Sequence, residues 1–355
     1  MTSNNPLSAD LDQILEQTEA VWEELRNQRI FITGGTGFFG CWLLESLIWA
    51  NEKLNLNINA TVLTRSKSAF AEKCPHLVNQ PALHFLEGDV RNFSFPDGQY
   101  SHVIHAATEA SANLNLNQPL LMLDTILQGS RHTLEFAKNC GTKRFLYVSS
   151  GAVYGKQPHD LTHTPEDRAC HLDPTNPASA YGIGKATAEH MSCLYGNQYG
   201  FEVKIARCFA FIGPHLPLDG TYAIGNFIRD GLHGGPIVVG GDGTPYRSYL
   251  YAADLAAWLW TILIRGTHGR PYNVGADTDY TISEIAEIVA NCFHPAPEIK
   301  RMKAPLDNQL SERYVPDITR IGMELQLTPH VSLERAIQLT KQWHSWKQTL
   351  THSVA

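Results

Sequence analysis

The sequence predicts a doubly wound α/β fold, in which a parallel sheet carries helices on both faces. Short runs of β-branched and apolar residues alternate with longer stretches of helical periodicity. A glycine-rich turn joins the first run to the first long helix, and a pair of serines follows a later run where a strand would end. Strands that alternate with helices favour parallel pairing, because each helix carries the chain back to the same edge of the sheet.

The predicted elements follow the hydrophobic periodicity along the chain. An amphipathic N-terminal helix is expected at residues 9–27, and residues 255–264 are expected to form a buried helix. The strands are predicted at residues 29–33, 58–63, 83–86, 103–105, 144–148 and 202–206. The other helices are predicted at residues 38–50, 120–139, 180–199 and 331–349.

A shift in composition divides the chain after residue 207, where glycine and proline become frequent. Such punctuation is typical of loop-rich structure. We therefore expect a main α/β domain, a helical extension before it and a smaller substrate-binding region after it. The extension is residues 1–28, the main domain is residues 29–207 rejoined by residues 249–275, and the smaller region is residues 208–248 and 276–350.

The composition is typical of a globular protein with a sizeable core, since 43% of the 355 residues are hydrophobic and 18% are charged. The net charge of −7 and the lack of a long basic run argue against nucleic-acid and anionic-membrane partners. No apolar run approaches the ~20 residues of a membrane helix. Residues 1–28 lack the apolar core of a signal peptide.

Seven cysteines are scattered along the chain, and no two have CxxC spacing. They are Cys41, Cys74, Cys140, Cys170, Cys193, Cys208 and Cys292. This spacing suggests neither a zinc site nor a disulfide framework, so no metal ligand is predicted. An odd number of unpatterned cysteines is typical of a reducing compartment, and we expect a cytoplasmic protein.

The glycine-rich segment at residues 33–40 follows the first strand and opens a helix. Gly34 permits a tight turn, Gly37 allows backbone approach to a pyrophosphate, and Gly40 allows close packing of helix and strand. Out of context, a glycine triplet indicates an ordinary tight turn about as well as it indicates a dinucleotide site. Its place between strand and helix favours a dinucleotide, bound at the helix N-terminus. The expected cofactor contacts are Gly34, Thr36, Gly37, Phe38, Phe39 and Gly40.

Residues after the second and third strands bear on which dinucleotide binds. An acidic residue after the second strand would bind a ribose hydroxyl and select NAD, but the sequence has Thr64, Arg65 and Ser66 there. Thr64 and Arg65 suit a 2′-phosphate, which favours NADP over NAD, although a solvated turn explains them as well. Asp89 is a candidate acceptor for the adenine amino group and Val90 a contact for its ring; a surface turn is the alternative.

Three residues suit acid–base chemistry beside a nicotinamide. Ser150 ends a strand whose carboxyl end faces the ligand crevice of such a sheet, and Tyr181 and Lys185 lie one helical turn apart. We expect Lys185 to lower the Tyr181 pKa by favouring the phenolate, and Ser150 to hydrogen-bond the reacting oxygen. Singly, Ser150 is better explained as a cap and Tyr181 as a core tyrosine. Their combination favours catalysis.

Four motifs together resemble the extended short-chain dehydrogenase/reductase family, in its nucleotide-sugar epimerase/dehydratase branch. They are T-G-G-T-G-F-F-G at residues 33–40, S-S-G-A-V-Y-G at 149–155, Y-G-I-G-K at 181–185 and G-D-G-T-P-Y-R-S-Y-L-Y-A-A-D-L at 241–255. The resemblance extends over residues 29–345. It implies a Rossmann-type fold that binds NAD or NADP, and it makes Ser150, Tyr181 and Lys185 the catalytic residues.

The resemblance also implies roles for further residues. Arg247 matches an arginine that binds the substrate diphosphate, although the Asp242-Gly243 pair before it also predicts a surface turn. Ala106 and Ala107 match a small-residue stretch beside the cofactor ribose, while His105 before them is expected to be structural. The residues assigned to the substrate are Ser150, Gly151, Asn226 and Arg247.

Several departures from the family pattern narrow the activity. Family dehydratases have an acidic pair at the positions of Gly151 and Ala152, and the related decarboxylases have glutamate at the second; both activities are therefore disfavoured. Ala210 and Ile126 occupy positions where the family commonly has asparagine. Candidate replacements for the lost polar contacts are Glu109, Ser111 and Asp124.

The hypothesis from the sequence is an NAD(P)-dependent nucleotide-sugar epimerase or 4-ketoreductase that uses Tyr, Lys and Ser chemistry. The alternatives are a 4,6-dehydratase, a reductase of a non-sugar ketone and a non-enzymatic cofactor-sensing module. Retention of all three catalytic residues weighs against the last. The resemblance also leads us to expect a homodimer that pairs through the helices at residues 120–139 and 180–199.

Overall fold

The computed structural model describes residues 5–108, 112–220, 222–304 and 310–353, and the predicted fold class is confirmed. The strands are β1 (Arg29–Thr33), β2 (Asn59–Thr64), β3 (Leu83–Glu87), β4 (His102–His105), β5 (Arg144–Ser150), β6 (Glu202–Cys208), β7 (Phe211–Ile212), β8 (Ile237–Val239), β9 (Tyr246–Arg247), β10 (Leu250–Tyr251), β11 (Pro271–Val274), β12 (Tyr280–Thr281), β13 (Ile299–Arg301) and β14 (Arg313–Tyr314). Seven of them form one parallel sheet in the order β11-β6-β5-β4-β1-β2-β3. The order reverses between β1 and β4, and ligands bind at such a switch point in open α/β sheets.

Helices cover both faces of this sheet. They are α1 (Ser8–Trp22), α2 (Phe38–Leu54), α3 (Lys67–Lys73), α4 (Pro75–Val78), α5 (Ala112–Asn117), α6 (Pro119–Asn139), α7 (Ala180–Tyr199), α8 (Ala223–Leu232), α9 (Ala252–Arg265), α10 (Ile282–Asn291), α11 (Thr319–Leu325) and α12 (Leu333–Ser353). Helices α6 and α7 pack together on one face, while α1, α2 and α9 form a layer on the other. Two hydrophobic cores result, one beneath each layer.

Helix α9 is apolar on all sides because it is buried on all sides. It packs against β5 and β6, and the strand that follows it, β11, pairs with β6. Helix α1 lies over α2 and α9, where the rings of Trp22 and Trp260 meet at 4.9 Å. The N-terminal helix is therefore part of the core around the sheet. No helix in the described ranges combines the length and apolarity needed to cross a bilayer.

The remaining strands form small sheets at one end of the molecule. Strand β9 lies between β12 and β14, β8 pairs with β13, and β7 pairs with β10. These strands contain two or three residues each. Their pairing is fixed by long-range contacts, which explains why hydrophobic alternation did not predict them. The sheet of β9, β12 and β14 brings side chains to the carboxyl end of β5.

Candidate active site

The turn between β1 and α2 forms an open backbone cradle. Gly37 is the N-cap residue of α2, and no side chain caps this helix. A Cβ atom added at Gly37 would meet only the Gly34 carbonyl oxygen, at 3.4 Å. The helix therefore presents its N-terminal N–H groups to an approaching anion, as a dinucleotide pyrophosphate requires. Phe38 and Phe39 are half-buried beside this opening.

Close packing explains the other two glycines of the cradle. Gly34 has a φ of +73°, and a Cβ atom there would lie 2.5 Å from the Ala106 carbonyl. A Cβ atom at Gly40 would lie 2.3 Å from the Gly35 backbone. The Thr33 hydroxyl accepts a hydrogen bond from the Ala107 N–H at 3.2 Å. The segment at 106–107 is thus held against the cradle, and these residues fit a dinucleotide.

His105 belongs to the scaffold beneath the cradle. Its Nδ1 lies 2.7 Å from the Thr33 hydroxyl, and its Nε2 lies 3.0 Å from the Ser130 hydroxyl. Burial, with a smaller contribution from the Lys185 charge, lowers its pKa to about 3. A neutral imidazole therefore joins β1, β4 and α6, as the sequence analysis expected of a structural histidine.

Ser150, Tyr181 and Tyr314 converge at the carboxyl end of β5. The Ser150 hydroxyl accepts a hydrogen bond from the Ala152 N–H at 3.2 Å and lies 3.5 Å from the Tyr314 hydroxyl. Tyr181 is half-buried at the start of α7, where its N–H donates to Asn115 Oδ1 at 3.0 Å. The structure thus brings together two predicted residues and Tyr314, which the sequence analysis missed.

Lys185 is buried one turn along α7 from Tyr181. Its ammonium donates to the Val148 carbonyl oxygen at 2.9 Å and to the Thr108 hydroxyl at 3.0 Å. The nitrogen lies 5.9 Å from the centre of the Tyr181 ring. Burial lowers the Lys185 pKa to about 8, although Cys208 and Glu189 act to raise it. Lys185 is therefore held in one position by two bonds and titrates near neutral pH.

The pKa of Tyr181 differs from the expectation. Burial raises this pKa well above its ordinary value and outweighs the lowering effect of the Ser150 hydroxyl. The neighbouring hydroxyls of Tyr314 and Tyr222 add to the increase. The expected lowering by Lys185 is therefore not found in the protein alone, where burial of the phenol has the largest effect on its pKa.

Pairing between β9 and β14 brings Arg247 towards this group. Arg247 is opposite Tyr314 in the parallel register, and its positive charge acts to lower the pKa of Tyr314. The Arg247 guanidinium donates to the Tyr246 carbonyl oxygen at 2.7 Å and is half-buried. Arg247 is therefore a cation within electrostatic reach of the Tyr314 hydroxyl, which itself lies beside Ser150.

Asn226 lies on α8, and the hydrogen bond given for its side chain is with Arg229 and not with these hydroxyls. Its side chain is half-buried, and its Oδ1 accepts a hydrogen bond from Arg229 at 3.0 Å. Tyr222 at the N-cap of α8 does influence Tyr181 and Tyr314 electrostatically. The beginning of α8 therefore approaches the site, and Tyr222 marks this approach more clearly than Asn226.

The space beside Gly151 is filled by two aromatic side chains. A Cβ atom at Gly151 would lie 2.8 Å from both Phe209 Cζ and the Tyr314 hydroxyl. The Phe209 and Tyr314 rings are themselves 4.7 Å apart. The backbone alone fits at this position, so the acidic side chain of a dehydratase has no room here.

Two positions that are commonly asparagine in the family are occupied by apolar residues in this structure. Ala210 is packed against the hydrophobic core, and its carbonyl oxygen accepts from the Leu250 N–H at 3.0 Å. Ile126 is buried on α6 against Gly184 of α7. Both residues therefore contribute apolar packing. Asp124 is exposed on α6, whereas Glu109 and Ser111 lie outside the described residues.

A buried ion pair supports the floor of the site. Arg207 Nη2 lies 2.7 Å from Glu189 Oε2, which joins β6 to α7, and Glu189 also accepts a hydrogen bond from the Ser149 hydroxyl. Arg207 donates to the Tyr154 hydroxyl at 2.9 Å, and Tyr154 donates to Asn273 at 2.7 Å. This network fixes the strand ends around Ser150. Its members are far apart in sequence, so spacing gave no signal of it.

The predicted adenosine contacts lie at the ends of β2 and β3. Arg65 is exposed, and Asp89 forms a two-point ion pair with Arg91 at 2.8 and 2.9 Å. This pairing lowers the Asp89 pKa to about 2. Both Asp89 oxygens are engaged, so any bond to an adenine uses their remaining lone pairs. Val90 is half-buried against Gly129.

The chain belongs to the NAD dependent epimerase/dehydratase family, whose model matches residues 30–275. The family prediction is thereby confirmed, and with it the prediction of an NAD-dependent enzyme. UDP-glucuronic acid decarboxylase 5 of Arabidopsis thaliana is 31% identical over 317 residues, or 89% of each chain. A second decarboxylase from that plant, UDP-glucuronic acid decarboxylase 3, is 30% identical over 317 residues, covering 89% of each chain.

Solved structures share the fold at lower identity. UDP-glucose 4-epimerase of Thermotoga maritima has a TM-score of 0.76 at 24% identity, over 91% of this chain and 100% of that one. dTDP-glucose 4,6-dehydratase of Streptomyces venezuelae, solved with NAD bound, has a TM-score of 0.75 at 23% identity, over 91% and 98%. The likeness supports the Rossmann-type architecture.

Proposed function

We propose that the protein is an NAD(P)-dependent epimerase or 4-ketoreductase of a nucleotide-linked sugar. The observation that carries this proposal is the meeting of Ser150, Tyr181 and Lys185 at the strand ends, next to the cradle. Tyr314 joins this group, and the Arg247 charge reaches Tyr314. The relatives named for activity on nucleotide sugars support the substrate class. Arg247 and Asn226 are assigned to the substrate, and Gly151 contributes only backbone.

The chemistry of the residues follows from their positions. When bound at the cradle, the dinucleotide supplies a hydride acceptor or donor. Tyr181 takes the proton from a sugar hydroxyl, or returns it to a keto oxygen, and Ser150 holds that oxygen by a hydrogen bond. With the dinucleotide bound, the Lys185 ammonium would hold the nicotinamide ribose and would add to the positive charge that stabilises a Tyr181 phenolate. The raised Tyr181 pKa of the protein alone means that this phenolate forms only with additional positive charge nearby.

Decarboxylation and dehydration by the family route are disfavoured. Both routes use an acidic side chain at the position of Gly151 or Ala152. Phe209 and Tyr314 fill the space at Gly151, and Ala152 has no group that moves a proton. A 4,6-dehydratase that uses a different acid is the second candidate, supported by the dehydratase among the structures that share the fold.

A panel of nucleotide sugars, read out by product mass and stereochemistry, tests the function. Denaturing the purified protein and assaying the released nucleotide distinguishes the two activities, because an epimerase retains NAD and a reductase exchanges NADPH.

Tyr181→Phe should lower turnover by roughly 10²–10⁴-fold. Tyr199→Phe, an exposed tyrosine on the same helix, is the control. Full turnover in Tyr181→Phe, or no product from any nucleotide sugar, would contradict the proposal.

We also propose a preference for NADP over NAD. Arg65 is exposed at the end of β2 and contributes positive charge beside Asp89. A charge-assisted bond to a 2′-phosphate is worth about 1.5–3 kcal/mol, so Arg65→Ala should reduce the NADP:NAD affinity ratio by at least roughly tenfold. Lys67→Ala, a neighbouring exposed lysine, is the control. An unchanged ratio in Arg65→Ala would reject the preference.

Three coarser proposals concern the whole protein. We assign residues 208–248 and 276–350 to substrate binding, because β9, β14 and the start of α8 approach the hydroxyl group. We propose a cytoplasmic location, in keeping with seven free cysteines.

We propose a homodimer through α6 and α7, because exposed apolar side chains lie on and beside these helices. They are Leu116, Leu120, Leu121, Leu194 and Tyr199.

A further inference from the structure

Two cysteines and a histidine meet in the interior, at the first turn of α2. Cys41 lies in the first turn of α2, Cys74 ends α3, and His215 follows β7. The Cys41 and Cys74 sulfurs are 4.0 Å apart, and Cys74 Sγ lies 3.8 Å from His215 Nδ1. All three ligand atoms lie within 4.8 Å of one another, and the residues are buried. Spacing in the sequence predicted no such site, because 33 and 141 residues separate these partners.

The distances approach the edges of a zinc coordination tetrahedron. With Zn–S near 2.3 Å and Zn–N near 2.0–2.1 Å, tetrahedral angles give S···S of about 3.8 Å and S···N of about 3.6 Å. The two Cys74 separations exceed these values only slightly, and the third, between Cys41 Sγ and the His215 ring nitrogen, is at most 4.8 Å. An inward movement of about 1 Å or less would therefore place all three atoms around one ion. A disulfide requires a sulfur separation of about 2.05 Å, which is a much larger change for Cys41 and Cys74.

Glu45 lies close to the outer ring nitrogen of His215, a buried atom that has no hydrogen-bond partner among the residues that the structure describes. His215 Nε2 lies 3.6 Å from Glu45 Oε1, on the ring side opposite the sulfurs. His76 Nε2 holds the same carboxylate oxygen at 2.6 Å. A carboxylate that accepts the second ring proton fixes the tautomer of a ligating histidine and strengthens its bond to the metal. Glu45 is fully buried on α2, one turn after Cys41.

The loop that carries His215 is fixed independently of any ion. Its φ of +71° is an uncommon backbone conformation for a residue other than glycine. The Trp42 indole donates to the Pro214 carbonyl oxygen at 2.8 Å, and the Trp343 ring packs 4.7 Å from the His215 ring. His215 is therefore presented to the two thiols by a preformed scaffold.

We propose that Cys41, Cys74 and His215 bind a zinc ion, with Glu45 as the outer partner of the histidine. Two thiolates and one neutral imidazole neutralise a divalent cation and match its preference for sulfur and nitrogen. A water molecule or the Thr36 carbonyl oxygen, 4.0 Å from Cys41 Sγ, fills the fourth position. The ion ties the first turn of α2, behind the cofactor cradle, to the loop after β7. Its role is structural, because the reacting hydroxyls belong to other elements.

Metal content and metal spectroscopy of the full chain test this proposal without any assay of activity. Protein purified under reducing conditions from zinc-supplemented cells should contain about one zinc per chain. Exchange into Co²⁺ should give the visible absorption of a tetrahedral site with thiolate ligands. Cys74→Ser and His215→Ala should each weaken zinc binding by more than tenfold, and Glu45→Gln by roughly 10–100-fold.

Cys140→Ser and Cys292→Ser are the matched controls, since both are buried cysteines outside the cluster. They should retain full zinc content. If a cluster variant does not fold, titration of the metal-free wild-type protein decides: zinc should raise its melting temperature, and magnesium should not. Absence of stoichiometric zinc together with no Co²⁺ spectrum would overturn the proposal. A Cys41–Cys74 disulfide, found by non-reducing peptide mapping in freshly purified protein, would also overturn it.

Discussion

At the scale of single residues, we expect the titration of Lys185 to govern the reductive direction of the proposed reaction. Tyr181 must carry its proton to act as the acid, and its raised pKa keeps it protonated through neutral pH. Lys185, with a pKa of about 8, loses its charge as the pH rises through that value. We therefore expect the single-turnover rate with NADPH to be flat below pH 8 and to decline above it.

The same measurement on Lys185→Arg tests whether the loss of the Lys185 charge, and not the titration of another group, causes the decline. A guanidinium stays charged at all accessible pH values, so the decline near pH 8 should disappear even if the absolute rate is lower. Lys143→Met, which changes an exposed lysine near the far end of the sheet, should leave the profile unchanged. A wild-type profile with no inflection near pH 8 would count against the assignment of Lys185.

Gly151 offers a second residue-scale prediction. An alanine there would place its Cβ 2.8 Å from the Tyr314 hydroxyl and Phe209 Cζ, which is closer than real contacts allow. We expect Gly151→Ala to lower the free energy of unfolding by about 1–3 kcal/mol and to reduce turnover, because Tyr314 must move away from Ser150. Gly241→Ala, where a Cβ meets nothing within 4 Å, is the control. Equal stability of the two variants in urea unfolding would disprove the crowding.

At the scale of elements, a buried carboxyl group attaches α1 to the end of β10, at the N-cap residue of α9. Asp10 is 9% exposed, and its Oδ2 accepts a hydrogen bond from the Tyr251 hydroxyl at 2.7 Å. Burial raises the Asp10 pKa from 3.8 to about 6. The folded state therefore binds this proton more tightly than the unfolded chain does. The stabilising effect is complete below pH 3.8 and is lost as the pH rises through 6.

Asp10→Asn should remove the free-energy cost of burying a charged Asp10 carboxylate at neutral pH. The amide oxygen still accepts the Tyr251 bond, and no charge is buried, so the free energy of unfolding at pH 7 should increase by on the order of 2 kcal/mol. Urea unfolding at pH 4 and pH 7 measures the difference. Glu16→Gln, at an exposed position on the same helix, should change stability by less than about 0.5 kcal/mol. A loss of stability in Asp10→Asn at pH 7 would contradict this account.

Periodicity predicted the long elements of the main sheet well. Helix α7 begins and ends where the pattern placed it, at residues 180–199, and β1 matches residues 29–33. The other five predicted strands of the main sheet begin within one residue of their predicted starts, because burial gives them a continuous apolar signal. The buried helix α9 begins three residues before its predicted start at residue 255. The two-residue strands β9 and β14 have no such signal, because their partners are distant in sequence and define them.

At the scale of the whole molecule, the residues of the site also divide into two groups. A local sequence pattern predicts the first group, and only long-range contacts bring the second group together. Ser150, Tyr181 and Lys185 were predictable because each lies in a local motif on a long element. Tyr314 reaches Ser150 from 164 residues away, and the Glu189–Arg207 pair joins two elements of the sheet layer. No local pattern encodes such contacts. The cluster of Cys41, Cys74 and His215 is a further case, since the fold alone brings its members together.

The proposed association of whole chains rests on the surface of α6 and α7. Leu120 is 76% exposed on α6 and Leu194 is 52% exposed on α7, which leaves apolar area for a symmetric partner surface. We expect the wild-type protein to have the mass of a dimer in light scattering. The double variant Leu120→Glu/Leu194→Glu should have the mass of a monomer, because four carboxylates would be buried at each interface.

Met323→Glu is the control for this prediction, because Met323 is 79% exposed on α11, outside the two helices. It should remain dimeric. Each variant should keep its affinity for the dinucleotide, since the cradle between β1 and α2 is formed within one chain. A monomeric wild-type protein, or a dimer that survives both glutamates, would show that these leucines do not form the interface. The exposed apolar side chains of α6 and α7 would then need a different partner.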